Sequence, residues 1–139
     1  MTAYVLDAGP LGRICHPRKY EDAREWLRKA LWAGDEIYVP EVADYELRRE
    51  LLRIGATASL ARLDDLARDA TYLPLDTATR RDAAQLWADL CGKGKPVGAP
   101  EALGADAILA AQALRVSGTV VTTNPRHVAR MVLTLAWPG

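Results

Sequence analysis

The chain has 139 residues, half of them apolar, and its 18 basic and 18 acidic residues cancel. This length predicts a single domain, residues 1–139, with a substantial hydrophobic core. Because no apolar run is long enough to span a bilayer and no basic segment leads into an apolar one, we expect a cytoplasmic protein without membrane contacts. With no net charge, any attraction for phosphate must come from a local patch.

The cysteines and histidines do not have the spacing of a metal site. Cys15 and Cys91 form no CxxC pair, and His16 and His127 lie far apart in the sequence. A structural zinc site is therefore not expected, and both cysteines are interpreted as small apolar residues.

Short β-like runs alternate with longer helical patterns along the chain. The β-like runs are Tyr4–Leu6, Ile37–Val39, Tyr72–Leu75 and Thr119–Thr122, with a last strand expected within Leu133–Trp137. Apolar spacing and capping residues predict helices at Glu21–Leu31, Glu41–Ile54, Ala58–Ala70, Asp76–Leu90, Asp106–Val116 and Pro125–Val132. The segment GKGKPVGAPEALG, residues 92–104, is expected to be a mobile loop. This alternation predicts an α/β domain with a mostly parallel sheet.

Four polar side chains fall where the carboxyl ends of parallel strands would meet. Asp7 ends the first strand in AYVLDAGPLG, before a tight Ala-Gly-Pro turn, and Asn124 follows Thr119–Thr122 in VVTTNPRHV. Glu46 lies in the helix after the second strand, in DYELRREL, and Asp106 begins the apolar helix of GADAILAAQAL. Ligands of open parallel sheets collect at this edge.

Each of these residues also fits a structural role. Asp7 is placed to cap a short helical turn starting near Pro10, and Asp106 to cap a helix over Ala107–Val116. Glu46 is placed to join an ion-paired helix face, and Asn124 before proline to form a turn. Glu41 also follows the second strand and is the alternative to Glu46. It is expected in the first turn of the helix, where the positive end of the helix dipole favours an acid, so Glu46 is preferred as the site residue. Together, converging carboxylates require a cation, and oxygen ligands suit Mg²⁺ or Mn²⁺. Such ions activate water, so the pattern predicts hydrolysis of a phosphate ester.

The motifs VLDAGPLG, DYELRREL, GADAILAAQAL and VVTTNPRH, in this order, resemble those of the PIN-domain nucleases. The largest bacterial branch of that family is the VapC-type toxins of type II toxin–antitoxin pairs. The resemblance covers essentially the whole chain. It implies a three-layer α/β/α sandwich around a parallel sheet, often dimeric, that cleaves RNA with Mg²⁺ or Mn²⁺, and it makes a cognate antitoxin protein a candidate partner. It also implies catalytic and metal-binding roles for Asp7, Glu46 and Asp106, with Asn124 completing the metal site.

The sequence departs from the family pattern near the third acid. Gly104 stands two residues before Asp106, where many relatives carry an additional acid, so we expect one tightly held ion. The alternative is a catalytically weak or inactive module of the same fold that binds nucleic acid or a protein. An aspartyl phosphatase with Asp7 as nucleophile is disfavoured, because Gly9 occupies the place of its second acid.

Five basic residues are candidates for contact with an RNA substrate. Arg126 and His127 directly follow the fourth motif residue and suit phosphate contact or leaving-group protonation, or else form an exposed helix start. Lys93 and Lys95 either steer the RNA backbone or belong to a solvated loop. Arg49 is a further candidate, partly neutralised by neighbouring acids.

The large aromatic residues suggest base stacking, but helical spacing favours packing for two of them. Trp26 and Trp87 fall on apolar helix stripes and are expected in the core. Trp32 lies off the main stripe of its helix and is expected to be exposed, where it suits a dimer surface. Tyr45 stands next to the candidate acid in DYELRREL and has no such stripe assignment.

Overall fold

The computed structural model describes residues 1–92, 100–125 and 128–137, with only the backbone for residues 100–103. Within those residues, strands and helices alternate along the chain. They are β1 (Ala3–Leu6), α1 (Ala8–Cys15), α2 (Glu21–Trp32), β2 (Glu36–Pro40), α3 (Glu41–Ile54), α4 (Thr57–Asp69), β3 (Thr71–Leu73), α5 (Thr77–Cys91), α6 (Pro100–Arg115), β4 (Thr119–Thr122) and β5 (Thr134–Ala136), with a 3₁₀ turn at Val128–Arg130.

The five strands form one sheet in the order β3-β2-β1-β4-β5, and every neighbouring pair is parallel. Successive strand residues point to opposite faces. Val5 and Val120 therefore pack with α6, whereas Leu6 and Val121 pack with α1 to α4. The predicted α/β sandwich with a parallel sheet covered on both faces is confirmed. Because all strands are parallel, their carboxyl ends share one edge of the sheet.

Helix α1 was predicted only as a short helical turn starting near Pro10, and the expected tight Ala-Gly-Pro turn is wrong. Its sequence AGPLGRIC contains two glycines and a proline, which lower the intrinsic helix propensity. The helix forms because it buries Leu11, Ile14 and Cys15 in the core. A Cβ on Gly12 would lie 3.2 Å from Leu47 Cδ1, so the glycine lets α1 approach α3 closely.

Helix α6 begins earlier than its apolar pattern indicated. It starts at Pro100, so Asp106 lies inside the helix, and the predicted capping role of Asp106 is wrong. The expected loop over residues 92–104 is likewise wrong for 100–104, which are helical, while 93–99 fall outside the described residues. Proline suits the first turn of a helix because its missing N–H has no partner there.

Smaller differences concern the ends of other elements. Strand β3 ends at Leu73, before Pro74, rather than at Leu75. Within the described part of Pro125–Val132 there is a 3₁₀ turn and no α-helix. Asp76 caps α5 as expected, since its carboxylate accepts a hydrogen bond from the Thr79 N–H. In the part of the chain that the structure describes, no helix is long and apolar enough to cross a bilayer.

The tryptophans divide largely as predicted. The Trp26 ring packs 5.1 Å from that of Tyr4 and 5.3 Å from that of Trp137, between centroids. Trp32 is 95% exposed, as expected. Trp87 departs from its predicted core position, because it remains 37% exposed beside α6.

Candidate functional site

Asp7 lies directly after β1, and both of its carboxylate oxygens are oriented by hydrogen bonds. Oδ1 accepts the Ala8 N–H at 2.8 Å, which caps α1. Oδ2 accepts the Thr122 hydroxyl at 2.7 Å from the end of β4. The predicted structural role of Asp7 as a helix cap is therefore confirmed. A carboxylate has about four acceptor positions, so the cap leaves capacity for a ligand.

Thr122 is a buried polar residue that the sequence reasoning missed. Its hydroxyl donates to Asp7 and also accepts the backbone N–H of Asn124 at 3.0 Å. It is fully buried at the end of an apolar strand. The local signal in the sequence is a polar residue at the end of an apolar strand, which does not by itself identify Asp7 as the partner. Asn124 itself is exposed just beyond the end of β4.

Glu46 and Asp106 reach the same electrostatic environment as Asp7 from two different helices. Burial raises the pKa of Glu46, the charges of Asp7 and Asp106 raise it further, and Arg49 lowers it. Burial and the charge of Asp7 raise the pKa of Asp106 to about 6. The three acids therefore repel one another at neutral pH, and a cation among them would relieve that repulsion.

The donor chemistry of these residues fits a hard divalent cation. Carboxylate and amide oxygens are the ligands that Mg²⁺ and Mn²⁺ prefer. Within residues 1–92, 104–125 and 128–137, however, no three His, Cys, Asp or Glu side chains stand close enough to hold an ion as they are. Glu46 and Asp106 enter none of the hydrogen bonds or ion pairs found among those residues, so their carboxylates are free to turn towards an ion.

Glu41, the rival acid, is occupied by a structural contact. It is the first residue of α3, as expected, and its Oε1 accepts the Leu75 N–H at 3.1 Å. This bond fastens the segment after β3 to the start of α3. Glu46 makes no such contact, and the charges of Asp7 and Asp106 raise its pKa.

Gln112 is a second buried polar residue that the sequence reasoning missed. Its Oε1 accepts the Val42 N–H at 3.2 Å, and its Nε2 donates to the Leu73 carbonyl at 2.8 Å. Helix α3 has no side-chain cap, because Pro40 precedes it. Gln112 on α6 instead accepts a hydrogen bond from the Val42 N–H in the first turn of α3. This contact fixes the helix that bears Glu46 against the helix that bears Asp106.

A cavity of about 850 Å³ lies beside Glu46, between α3, α5 and α6. Its wall includes Glu46 and Arg49, and Arg49 Cζ lies 5.3 Å from the centre of the exposed Tyr45 ring. Among the other basic residues expected at the substrate, Lys93, Lys95, Arg126 and His127 fall outside the described residues.

The fold and the acidic edge define a class: a three-layer α/β domain whose parallel sheet brings carboxylates from separate elements to its carboxyl edge. The family model described as the PIN domain matches residues 4–131. The chain therefore belongs to the PIN domain family.

Solved structures of the same fold come from toxin–antitoxin systems. VapBC from Salmonella typhimurium, crystallised bound to DNA, has a TM-score of 0.78 at 23% identity and covers 99% of this chain and 100% of that one. VapBC2 from Rickettsia felis, bound to a promoter DNA fragment, has a TM-score of 0.73 at 19% identity, covering 99% and 100%. VapBC-5 from Mycobacterium tuberculosis, a member of the VapBC family of toxin–antitoxin systems, has a TM-score of 0.64 at 23% identity, with the same coverage. A search of curated proteins found no match.

Proposed function

We propose that the protein is a Mg²⁺- or Mn²⁺-dependent endoribonuclease that hydrolyses RNA phosphodiesters. The observation that carries the proposal is the mutual electrostatic influence of Asp7, Glu46 and Asp106 at the carboxyl edge of the sheet. Half-buried carboxylates without a hydrogen-bond or ion-pair partner among the described residues, such as Glu46 and Asp106, lower the stability of a protein unless they serve a ligand. Membership of the PIN domain family supports the same conclusion.

In this proposal Asp7, Glu46 and Asp106 hold the ion, with Asn124 as a further oxygen ligand. Once held by these residues, such an ion would supply an acidified water and would offset the charge that develops on the departing oxygen of the phosphodiester. Thr122 orients the Asp7 carboxylate, and Gln112 fixes the spacing between the helices that carry the two other acids. Such supporting contacts govern how well ligands converge on an ion.

We further propose that one ion is held tightly in the absence of substrate. Gly104 offers no ligand, and a Cβ built on it would meet nothing within 4 Å, so this position leaves open space where an additional acid would project. Titration with Mn²⁺, followed by electron paramagnetic resonance, is expected to give one tight site per chain. Two filled sites in the substrate-free protein would contradict this expectation.

Cleavage of a mixed pool of structured and single-stranded RNAs tests the proposed activity. Wild-type protein is incubated with Mn²⁺ or with EDTA beside two variants, Asp7→Asn and Asp22→Asn. Asp22 lies exposed in the first turn of α2 and controls for the loss of one negative charge. We expect cleavage that requires Mn²⁺, is abolished in Asp7→Asn and is unchanged in Asp22→Asn. Equal cleavage by Asp7→Asn and wild type would refute the assignment of the site.

The alternative function is a non-catalytic PIN-like module that binds nucleic acid or a protein. It is favoured by the lack of a preformed three-ligand cage among the described residues. The effect of a divalent ion on the melting temperature distinguishes the ribonuclease from the binding module, since an ion that binds only the folded state raises the melting temperature. Millimolar Mn²⁺ is expected to raise the melting temperature of wild type and not that of Asp7→Asn. A well-folded protein that shows neither a shift nor cleavage is the binding module.

An antitoxin protein and a second copy of the chain are the proposed partners. The first rests on structural neighbours that were crystallised as VapBC complexes. The second rests on the family resemblance and on Trp32, which projects almost fully exposed from the end of α2. Light scattering of wild type and Trp32→Ala tests the dimer: we expect a dimer for the wild type and monomers for the variant.

A further inference from the structure

The cavity beside Glu46 combines features that the proposed metal site does not use. It holds about 850 Å³, within the roughly 300–1,000 Å³ typical of small-molecule sites. Helix α3 contributes Tyr45, Glu46 and Arg49 to its wall, α5 contributes Arg80, and α6 contributes Gly104 and Ile108. The wall formed by α3 therefore carries the proposed catalytic acid. The wall formed by α5 carries a cationic side chain, and the wall formed by α6 has no side chain at Gly104.

The two arginines of this cavity are available to bind an anion. Within the part of the chain that the structure describes, six other arginines form ion pairs with carboxylates, whereas Arg49 and Arg80 form none. Arg115 on α6, for comparison, pairs with Asp82 on α5 at 2.7 Å. A guanidinium with free donors in a concave site suits a phosphate group.

Arg80 is held at a defined place by the start of its helix. The Asp76 carboxylate accepts hydrogen bonds from both the N–H and the hydroxyl of Thr79, which is almost fully buried. The backbone N–H of Arg80 bonds to the Asp76 carbonyl at 3.1 Å. The backbone of Arg80 is therefore fixed while its side chain remains exposed at the cavity.

Tyr45 and Arg49 form an exposed cation–π pair on α3, here called the stacking platform. The tyrosine is 61% exposed, and the arginine guanidinium lies 5.3 Å from its ring centre. Aromatic rings and guanidinium planes are both surfaces on which unpaired bases stack. Glu41 also lines the cavity, and one of its carboxylate oxygens accepts a hydrogen bond from the Leu75 N–H.

We propose that this cavity is a nucleotide-binding subsite for single-stranded RNA, with a base stacked on Tyr45 and Arg49 and an adjacent phosphate bound by Arg80. The inference rests on the proposed ribonuclease function, because the same cavity is bordered by Glu46. A double helix is excluded as the occupant, since its bases are stacked on one another and cannot reach a tyrosine platform.

Binding to a non-cleaving protein tests the subsite separately from the activity. In the Asp7→Asn background, Arg80→Ala is compared with Arg81→Ala, the neighbouring exposed arginine that does not line the cavity. Fluorescence anisotropy with a labelled single-stranded RNA of random sequence measures affinity at several salt concentrations. We expect Arg80→Ala to weaken binding about tenfold. It should also make the slope of log affinity against log salt concentration shallower by about 0.7, the effect of losing one phosphate contact. Arg81→Ala should leave both unchanged.

The stacking platform is tested with a second pair of variants. Tyr45→Ala is expected to weaken RNA binding about tenfold, whereas Tyr45→Phe keeps the ring and the affinity. Equal effects of Arg80→Ala and Arg81→Ala, or of Tyr45→Ala and Tyr45→Phe, would overturn the subsite and leave the cavity to a polypeptide partner. If wild type cleaves RNA in that case, the subsite alone is refuted. If wild type does not cleave RNA while Arg80 and Tyr45 still govern binding, the proposed activity alone is refuted.

Discussion

The Thr122 hydroxyl donates a 2.7 Å hydrogen bond to Oδ2 of Asp7, joining the ends of two adjacent parallel strands. The Thr122 hydroxyl oxygen also accepts a hydrogen bond from the Asn124 N–H, so one buried side chain fixes the first acid and the start of the loop that carries the fourth candidate ligand. The local chain supplies the other contact of Asp7, the cap of α1. The orientation of Asp7 thus depends on both sequence neighbours and a distant strand.

Replacing Thr122 with valine is expected to lower RNA cleavage and ion affinity by about ten- to a hundredfold. Valine has nearly the same shape, but it leaves Asp7 without one orienting donor, which is the typical effect of losing a supporting contact. It also leaves the Asn124 N–H unpaired, so we expect the free energy of unfolding to fall by about 1–3 kcal/mol. Cleavage rates, Mn²⁺ titration and urea denaturation measure the three effects.

Thr122→Ser is the matched control for this prediction, because it keeps the hydroxyl and removes only a methyl group. We expect it to retain near-wild-type cleavage while losing about 1 kcal/mol of stability from the smaller buried volume. Cleavage that falls equally in the serine and valine variants would show that packing, and not the hydrogen bond to Asp7, matters at this position.

Glu41 and Glu46, two of the three glutamates of α3, provide a second prediction. Glu46→Gln is expected to abolish cleavage, since it removes a proposed ion ligand, and to raise stability slightly by relieving repulsion with Asp7 and Asp106. Glu41→Gln keeps an oxygen for the Leu75 N–H and should leave cleavage near the wild-type rate. Parallel RNA cleavage assays and thermal melts of the two variants check both expectations. The reverse pattern of activity would make Glu41 the functional acid.

The parallel sheet could be predicted from the sequence because its strands depend on local patterns. Apolar runs followed by polar residues identify strand ends, and parallel strands bring those ends together. Thr122 and Gln112 were missed because their partners lie 115 and 70 residues away, at separations that no local pattern encodes. Helix α1 was predicted only as a short turn for a related reason: its burial outweighs the poor helix propensity of glycine and proline.

Gln112 offers a third prediction, on stability. Gln112→Leu keeps the side-chain bulk but leaves the Val42 N–H and the Leu73 carbonyl unpaired, and we expect a loss of about 3 kcal/mol in the free energy of unfolding. Gln85→Leu is the control, since Gln85 is exposed on α5 and bonds only to Asp89. Urea denaturation of both variants measures the difference. Equal, small losses would show that Gln112 does not hold α3 against α6.

The raised pKa of Asp106 makes the stability of the metal-free protein depend on pH. Burial and the charge of Asp7 raise this pKa from the usual 3.8 to about 6, so the folded state binds the proton more tightly than the unfolded chain does. The contribution of Asp106 to the free energy of unfolding should therefore fall as the pH rises from about 4 to about 6, and the whole penalty from this residue is present above that range. Because Asp106 is only half-buried, solvent screening limits the penalty to on the order of 1 kcal/mol.

Asp106→Asn isolates this effect, because the amide has nearly the same shape and cannot ionise. Relative to wild type, we expect the apoprotein of the variant to be more stable at about pH 7.5 and equally stable at about pH 4, by urea denaturation. Asp22→Asn, which changes an exposed carboxylate, should show no such trend. Adding Mn²⁺ at about pH 7.5 should reverse the order, since the ion stabilises only the protein that keeps its ligand. If the difference in stability between the variant and wild type stays constant across this pH range, ionised Asp106 does not destabilise the folded protein. The argument for an ion at this edge of the sheet would then lose its electrostatic basis.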